Sequence, residues 1–243
     1  MAQENIEFEV NSQKLRGRLY KPGDDAKKAA LLCIHGWTGK PNDNAAAFMA
    51  INGFWALTFS LSGHNDSDGK IEDQTRHKSL QEAIAAYDFL KTHIPTSTKI
   101  AAVGNSYGGY ISNLLSAKRP LAGISLRVAS NYVDERFDEK QINQTAEDNL
   151  VMKWRYLPLD YKDTRALRAM HEFSGPIQII EAELDDMVPH QSTQNYLNAV
   201  KSKSQLDYHF MKGWPHSIGD DKERQKQFQQ MLLTWAKKVN EQL

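Results

Sequence analysis

Hydrophobic positions near the start of the chain fall two or four residues apart, at Ile6, Phe8 and Val10 and then at Leu15 and Leu19, with polar Asn11-Ser12 between. Side chains of a strand alternate between its two faces, so this pattern predicts two strands joined as an antiparallel hairpin. The pattern then changes to short apolar runs separated by stretches of helical period. It predicts a strand over 29–34, a helix near 45–51, a strand over 54–61 and a helix over 79–90. In that helix Leu80, Ala83, Ile84, Tyr87 and Leu90 share one face. Strand, helix and strand at this cadence imply crossover units and a parallel sheet. The series continues with strands over 99–103, 121–128, 176–182 and 206–211, and helices over 107–117, 191–200 and 222–239.

Between about 131 and 175 the rhythm breaks. This interval is rich in charge and aromatics (Arg136, Phe137, Trp154, Arg155, Tyr156, Tyr161) and offers no convincing core strand. A structureless loop of that length is improbable in a compact fold, so the interval is expected to be a largely helical lid or cap insertion over one end of the sheet. The expected fold class is therefore α/β: a mostly parallel central sheet with an N-terminal antiparallel hairpin, helices on both faces and a short helical lid. A chain of 243 residues accommodates this as one domain spanning 1–243, with the insertion at 131–175.

Composition narrows the function classes. The 30 basic and 30 acidic side chains cancel, so no net field draws the protein to nucleic acid or to an anionic membrane, and neither is expected as a partner. The single cysteine, Cys33, lies in the run Leu31-Leu32-Cys33-Ile34; it excludes an intrachain disulfide and reads as a small buried hydrophobe. Met1-Ala2-Gln3-Glu4-Asn5 shows no basic region followed by an apolar segment, and no apolar run approaches membrane-spanning length. A cytoplasmic protein is expected, a monomer or homodimer, acting on a small molecule with no metal or organic cofactor.

The chemistry centres on Gly104-Asn105-Ser106-Tyr107-Gly108, which leads from a predicted strand into a predicted helix. Gly-x-Ser-x-Gly in that context makes a sharp turn that pushes the serine out on a strained backbone, with glycines where a β-carbon would clash. The helix beginning at Tyr107 aims free amides at developing negative charge. Ser106 is accordingly the candidate nucleophile. A serine hydroxyl needs a base, normally a histidine held by a carboxylate. His216, in a turn just after the last predicted strand, is placed to swing over the sheet's carboxyl edge. His209 lies inside that strand, and His77, His93 and His171 fall on helices or their ends. For the acid, Glu183-Leu184-Asp185-Asp186-Met187-Val188-Pro189 follows the penultimate strand; Asp185 is preferred and Asp186 is the alternative. The oxyanion donors are expected to be the amide of Tyr107 and that of Trp37, in the loop His35-Gly36-Trp37-Thr38-Gly39. His35 and His64 read as loop-bracing residues.

These motifs, with the order serine, acid, histidine, resemble the α/β-hydrolase superfamily over essentially the whole chain. Ser62-Gly63-His64-Asn65-Asp66-Ser67-Asp68-Gly69 is similar to the Gly-His-Gly-x-Ser-Asp-Gly stretch of small bacterial carboxylesterases, including the feruloyl (cinnamoyl) esterases. Asn65 departs from it where the second glycine would stand. The resemblance implies the α/β-hydrolase fold and a carboxylic ester hydrolase working through an acyl-enzyme. A serine at the elbow argues against dehalogenase or epoxide hydrolase chemistry, which uses a carboxylate nucleophile. A serine aminopeptidase or thioesterase would use the same residues, and a hydrolase-fold receptor that binds without turnover is the alternative of another class. Substrate choice is expected to lie in the 131–175 segment, with Trp154, Tyr156, Leu157 and Tyr161 roofing the pocket.

Overall fold

The computed structural model describes residues 1–23, 26–142 and 150–243. Residues 143–149 of the expected insertion thus lie outside the described residues. Among the described residues eight strands form one sheet in the order β1-β2-β4-β3-β5-β6-β7-β8. β1 (Ala2–Val10) and β2 (Gln13–Lys21) are the N-terminal hairpin, and β2 pairs antiparallel with β4 (Trp55–Phe59). β3 (Ala29–Ile34), β5 (Lys99–Asn105), β6 (Ile124–Arg127), β7 (Ile177–Leu184) and β8 (Leu206–Pro215) run parallel to their neighbours. This is the mostly parallel sheet with an N-terminal hairpin expected from the pattern, and it is the α/β-hydrolase arrangement that the resemblance implies.

Each face of the sheet carries its own core because successive strand side chains point opposite ways. On one face Ala30, Leu32 and Ile34 of β3 join Ile100, Ile124, Leu126, Ile177 and Ile179. They meet α2 (Arg76–His93), α3 (Tyr107–Ser116), α5 (Arg165–Glu172) and α6 (His190–Ala199). A short helix, α4 (Leu150–Arg155), precedes α5. On the other face Ala29, Leu31 and Cys33 join Ala101, Val103 and Ile180 beneath α1 (Asp43–Ile51) and α7 (Lys222–Glu241). Every residue of β3 is buried, which explains its unbroken apolar run: a strand covered on both faces needs no polar side. Burial also pushes the Cys33 thiol up to about 12, so it stays a neutral packing group.

The order of strands positions the site. β4 lies on one side of β3 and β5 on the other, and the chain leaves β3 into α1 on one face and β5 into α3 on the opposite face. A crevice opens at the carboxyl ends of strands where the order reverses in this way. The loop after β3 and the turn after β5 meet there.

Among the described residues no helix is long and apolar enough to cross a membrane.

Candidate active site

Ser106 stands between β5 and α3 at φ 53°, ψ −117°, a region a residue with a side chain occupies only when its surroundings enforce it. Close packing does so here. A β-carbon on Gly104 would lie 2.3 Å from the Gly108 carbonyl oxygen, and one on Gly108 would lie 2.2 Å from that of Ile34. With hydrogen at those positions, strand and helix approach closely enough for Ser106 to project from the turn. β6 holds the turn from the side: the Ser106 amide donates to the Arg127 carbonyl at 2.9 Å, and the Ser106 carbonyl accepts from the Ser130 amide at 3.1 Å.

His216 follows the last residue of β8. Its Nε2 is 3.1 Å from Ser106 Oγ, and its Nδ1 is 2.8 Å from each carboxylate oxygen of Asp185. A carboxylate only accepts, so Nδ1 carries the proton and Nε2 presents its lone pair to the Ser106 hydroxyl. Asp185 is oriented in turn by the amides of Met187 and Val188, which donate to its Oδ1 at 2.9 and 2.7 Å. Its side chain is buried, whereas Asp186 is exposed. Of the two aspartates, it is Asp185, the one preferred from the sequence, that reaches His216.

Gly36 brings the loop after β3 against the same turn: a β-carbon there would lie 3.4 Å from Ser106 Cβ. The rings of Trp37 and Tyr107 meet edge to face with centroids 5.3 Å apart, and the Tyr107 hydroxyl donates to Ser79 Oγ at 2.9 Å. Among the described residues the amides of Trp37 and Tyr107 donate to no protein acceptor. Free N–H groups beside a serine hydroxyl are what an oxyanion formed by its attack requires.

Two buried histidines support this loop. His35 Nε2 accepts from the Leu61 amide at 3.0 Å, so Nδ1 bears the proton and donates to the Gly36 carbonyl at 2.8 Å. Burial lowers its pKa to about 4, which keeps the ring neutral and the brace intact. His64 donates from Nδ1 to the Ser62 carbonyl at 3.1 Å and packs its ring against Trp37. The strip carrying His64 is tied to α2 by buried Glu82, which accepts from the Ser62 hydroxyl and amide at 2.5 and 3.0 Å and from Gln74 at 3.0 Å.

The cleft at Ser106 encloses about 1300 Å³. Gly36, Trp37, Asn105, Ser106, Arg127 and His216 form one end, and it runs between the α1 loop and the start of α7 toward β2. None of the described residues of 131–175 lines it. The three aromatics and the leucine expected to roof the pocket lie elsewhere: Trp154 is half-buried outside the cleft, Tyr156 and Leu157 are exposed, and Tyr161 stacks on His171. The reason is where the segment is anchored. Asn113 on α3 donates to the Ala166 carbonyl, and Asn195 on α6 donates to that of Leu157, both on the face of the sheet opposite α1 and α7.

Two site residues were not legible in the sequence. Ser130 places its hydroxyl 3.4 Å from Ser106 Oγ. Arg127 donates from Nε to Asn105 Oδ1 at 3.1 Å and from Nη1 to the His216 carbonyl at 2.9 Å, tying the residue before Ser106 to the backbone of His216. The available signal was an arginine at the end of an otherwise uncharged strand, since an unshielded buried charge is costly without a purpose.

Comparison with known proteins agrees with this architecture. The model of the prolyl oligopeptidase family matches residues 43–242. Among solved structures, Est1E from Butyrivibrio proteoclasticus with ferulic acid bound superposes with a TM-score of 0.72 at 21% identity, over 95% of this chain and 99% of that one. The esterase Pf2001 of Pyrococcus furiosus gives 0.71 at 15% identity over 98% and 91%. The alpha/beta hydrolase GrgF from a Penicillium species gives 0.66 at 18% identity over 96% and 100%. At these identities the likeness is one of fold. No curated protein matches this chain significantly in sequence.

Proposed function

The chain belongs to the prolyl oligopeptidase family, and on that premise we propose that it is a serine hydrolase cleaving carboxylic esters, with Ser106, His216 and Asp185 as the catalytic triad. The observation that carries this reading is the unbroken hydrogen-bond path from Ser106 Oγ through both ring nitrogens of His216 to Asp185. In the first step Ser106 Oγ attacks the ester carbonyl carbon while His216 Nε2 takes the hydroxyl proton. Asp185 stabilises the imidazolium without taking a proton itself. The Trp37 and Tyr107 amides hold the oxyanion, which collapses, and His216 returns the proton to the departing alcohol. Water then attacks the acyl carbon, giving its proton to the same nitrogen; the bond from that carbon to Ser106 Oγ breaks, Nε2 returns the proton to Oγ, and the acid leaves.

Membership of a peptidase family favours a second reading, cleavage of peptide bonds by the same three residues. Arg127 opposes its aminopeptidase form, because a buried guanidinium in the wall of the cleft repels the protonated α-amine such an enzyme must hold. The esterase activity named for Pf2001 and the ferulic acid held by Est1E support ester substrates here by likeness of fold.

Turnover of p-nitrophenyl esters of increasing acyl length, methyl hydroxycinnamates and aminoacyl anilides separates these readings. Replacing Ser106 by alanine is expected to lower kcat/KM by roughly four orders of magnitude or more; a variant that keeps most of its activity overturns the assignment.

A further inference from the structure

Arg127 is 8% exposed. Burial lowers its pKa to about 10, so the guanidinium remains charged at neutral pH. Such a charge is strongly unfavourable in a protein interior unless paired. Among the described residues it makes no ion pair, and only two of its three nitrogens are used: Nε toward Asn105 Oδ1 and Nη1 toward the His216 carbonyl. Nη2 makes no hydrogen bond among the described residues.

The opposite charge that acts on Arg127 is Asp185. That carboxylate is already committed, both oxygens to His216 Nδ1 and one also to the amides of Met187 and Val188. Nor is the guanidinium free to swing away in search of a partner. Asn105 and the His216 backbone hold two of its nitrogens, and the Phe228 ring lies 6.0 Å from its carbon. The residue lines the cleft together with Ser106 and His216. A rigidly held cation with spare N–H donors in the wall of a cleft lacks one component, a planar anion with two acceptor oxygens.

We propose that Arg127 anchors a carboxylate subsite, so that the preferred substrates are esters carrying a free carboxylate a short spacer away from the scissile bond. The subsite rests on the reading of Ser106 as nucleophile. It also gives Arg127 two tasks that one side chain performs together: Nε and Nη1 position the elbow and the histidine, and the open edge receives the substrate. An anionic substrate thereby completes the electrostatics of the site when it binds, because it neutralises the charge that otherwise stands unpaired beside the triad.

The test compares matched ester pairs on the full-length protein. On the acyl side, p-nitrophenyl hydrogen glutarate is set against p-nitrophenyl methyl glutarate, with nitrophenol release as the readout. On the alcohol side, acetoxyacetate is set against acetoxyacetamide, with acetate release as the readout. The wild type is expected to favour the acid in one pair by about tenfold or more in kcat/KM, the size of a charge-assisted hydrogen bond. Arg127→Gln is expected to slow both members of that pair, through the His216 anchor, and to bring their ratio near one; Arg127→Lys is expected to keep part of the preference. Equal or inverse selectivity of the wild type in both pairs overturns the subsite even if the variants do not fold. So does an Arg127→Gln protein in which acid and neutral esters fall by the same factor. If Ser106 is labelled by a fluorophosphonate and neutral esters are turned over without any acid preference, the subsite alone fails. If Ser106 is not labelled and no ester is cleaved, the hydrolase reading fails and takes the subsite with it.

Discussion

Asp185 and Asp186 are chemically identical neighbours, and only their surroundings distinguish them. Asp185 is turned inward, held by two amides and shared with His216, while Asp186 faces solvent. Asp185→Asn is therefore expected to lower kcat by roughly three to four orders of magnitude by favouring the wrong histidine tautomer. Asp186→Asn is expected to stay within about threefold, as for a surface substitution; steady-state kinetics on one chromogenic ester compares them. His35 supplies a pH dependence of stability. Its folded pKa of about 4 lies below its ordinary value of 6.5, so between those values the unfolded chain binds a proton that the native chain does not. Stability is untouched above pH 6.5 and falls as pH drops toward 4, by up to about 3 kcal/mol from this group. Urea unfolding at pH 7 and pH 4.5 is expected to show a smaller loss in His35→Gln than in the wild type.

At the scale of elements, the elbow exists because β5 and α3 are packed without intervening side chains. Gly108→Ala would drive a methyl group to 2.2 Å from the Ile34 carbonyl oxygen and 2.4 Å from that of His35. β3 cannot retreat, being bonded to β4 on one side and β5 on the other. A loss of about 3 kcal/mol or more, or no soluble protein, is expected. Gly213 is the control. It has φ +72°, but a β-carbon there would meet nothing within 4 Å, so Gly213→Ala is expected to cost about 1 kcal/mol from backbone strain alone. Thermal melts of the two variants separate steric contact from conformation.

For the whole molecule, the described residues of 131–175 are more a part of the core than a detachable cover. Ala166, Leu167 and Met170 are buried in the same cluster as α2 and α3. Buried Arg76, at the start of α2, donates to the Val133 and Glu135 carbonyls, and Asp134 pairs with Arg165 and Arg168. Excising 131–175 is expected to yield protein without a cooperative melt, because it opens one face of the sheet core. Replacing exposed Tyr156 and Leu157 by serine is expected to shift Tm by no more than about 2 °C. Circular dichroism melts of both variants test this; a folded, active excision product would return the segment to the status of a lid.

Local pattern determined much of this protein. Apolar alternation placed the hairpin, the all-buried run at 29–34 placed a central parallel strand, and Gly-x-Ser-x-Gly placed Ser106 on a turn, because each of these depends on residues close together in the chain. His216 was legible as a loop histidine after the last strand for the same reason. The contacts that realise the preference for Asp185 and the pairing of Trp37 with Tyr107, together with the approach of Ser130 and the double anchorage of Arg127, were set only by the tertiary structure. They join β3, β5, β6, β7 and β8, whose carboxyl ends converge through sheet order and not through proximity in sequence. The direction of the cleft belongs with them: it opens toward α1 and α7, set by which face each helix covers, and the aromatic content of 131–175 carried no information about that.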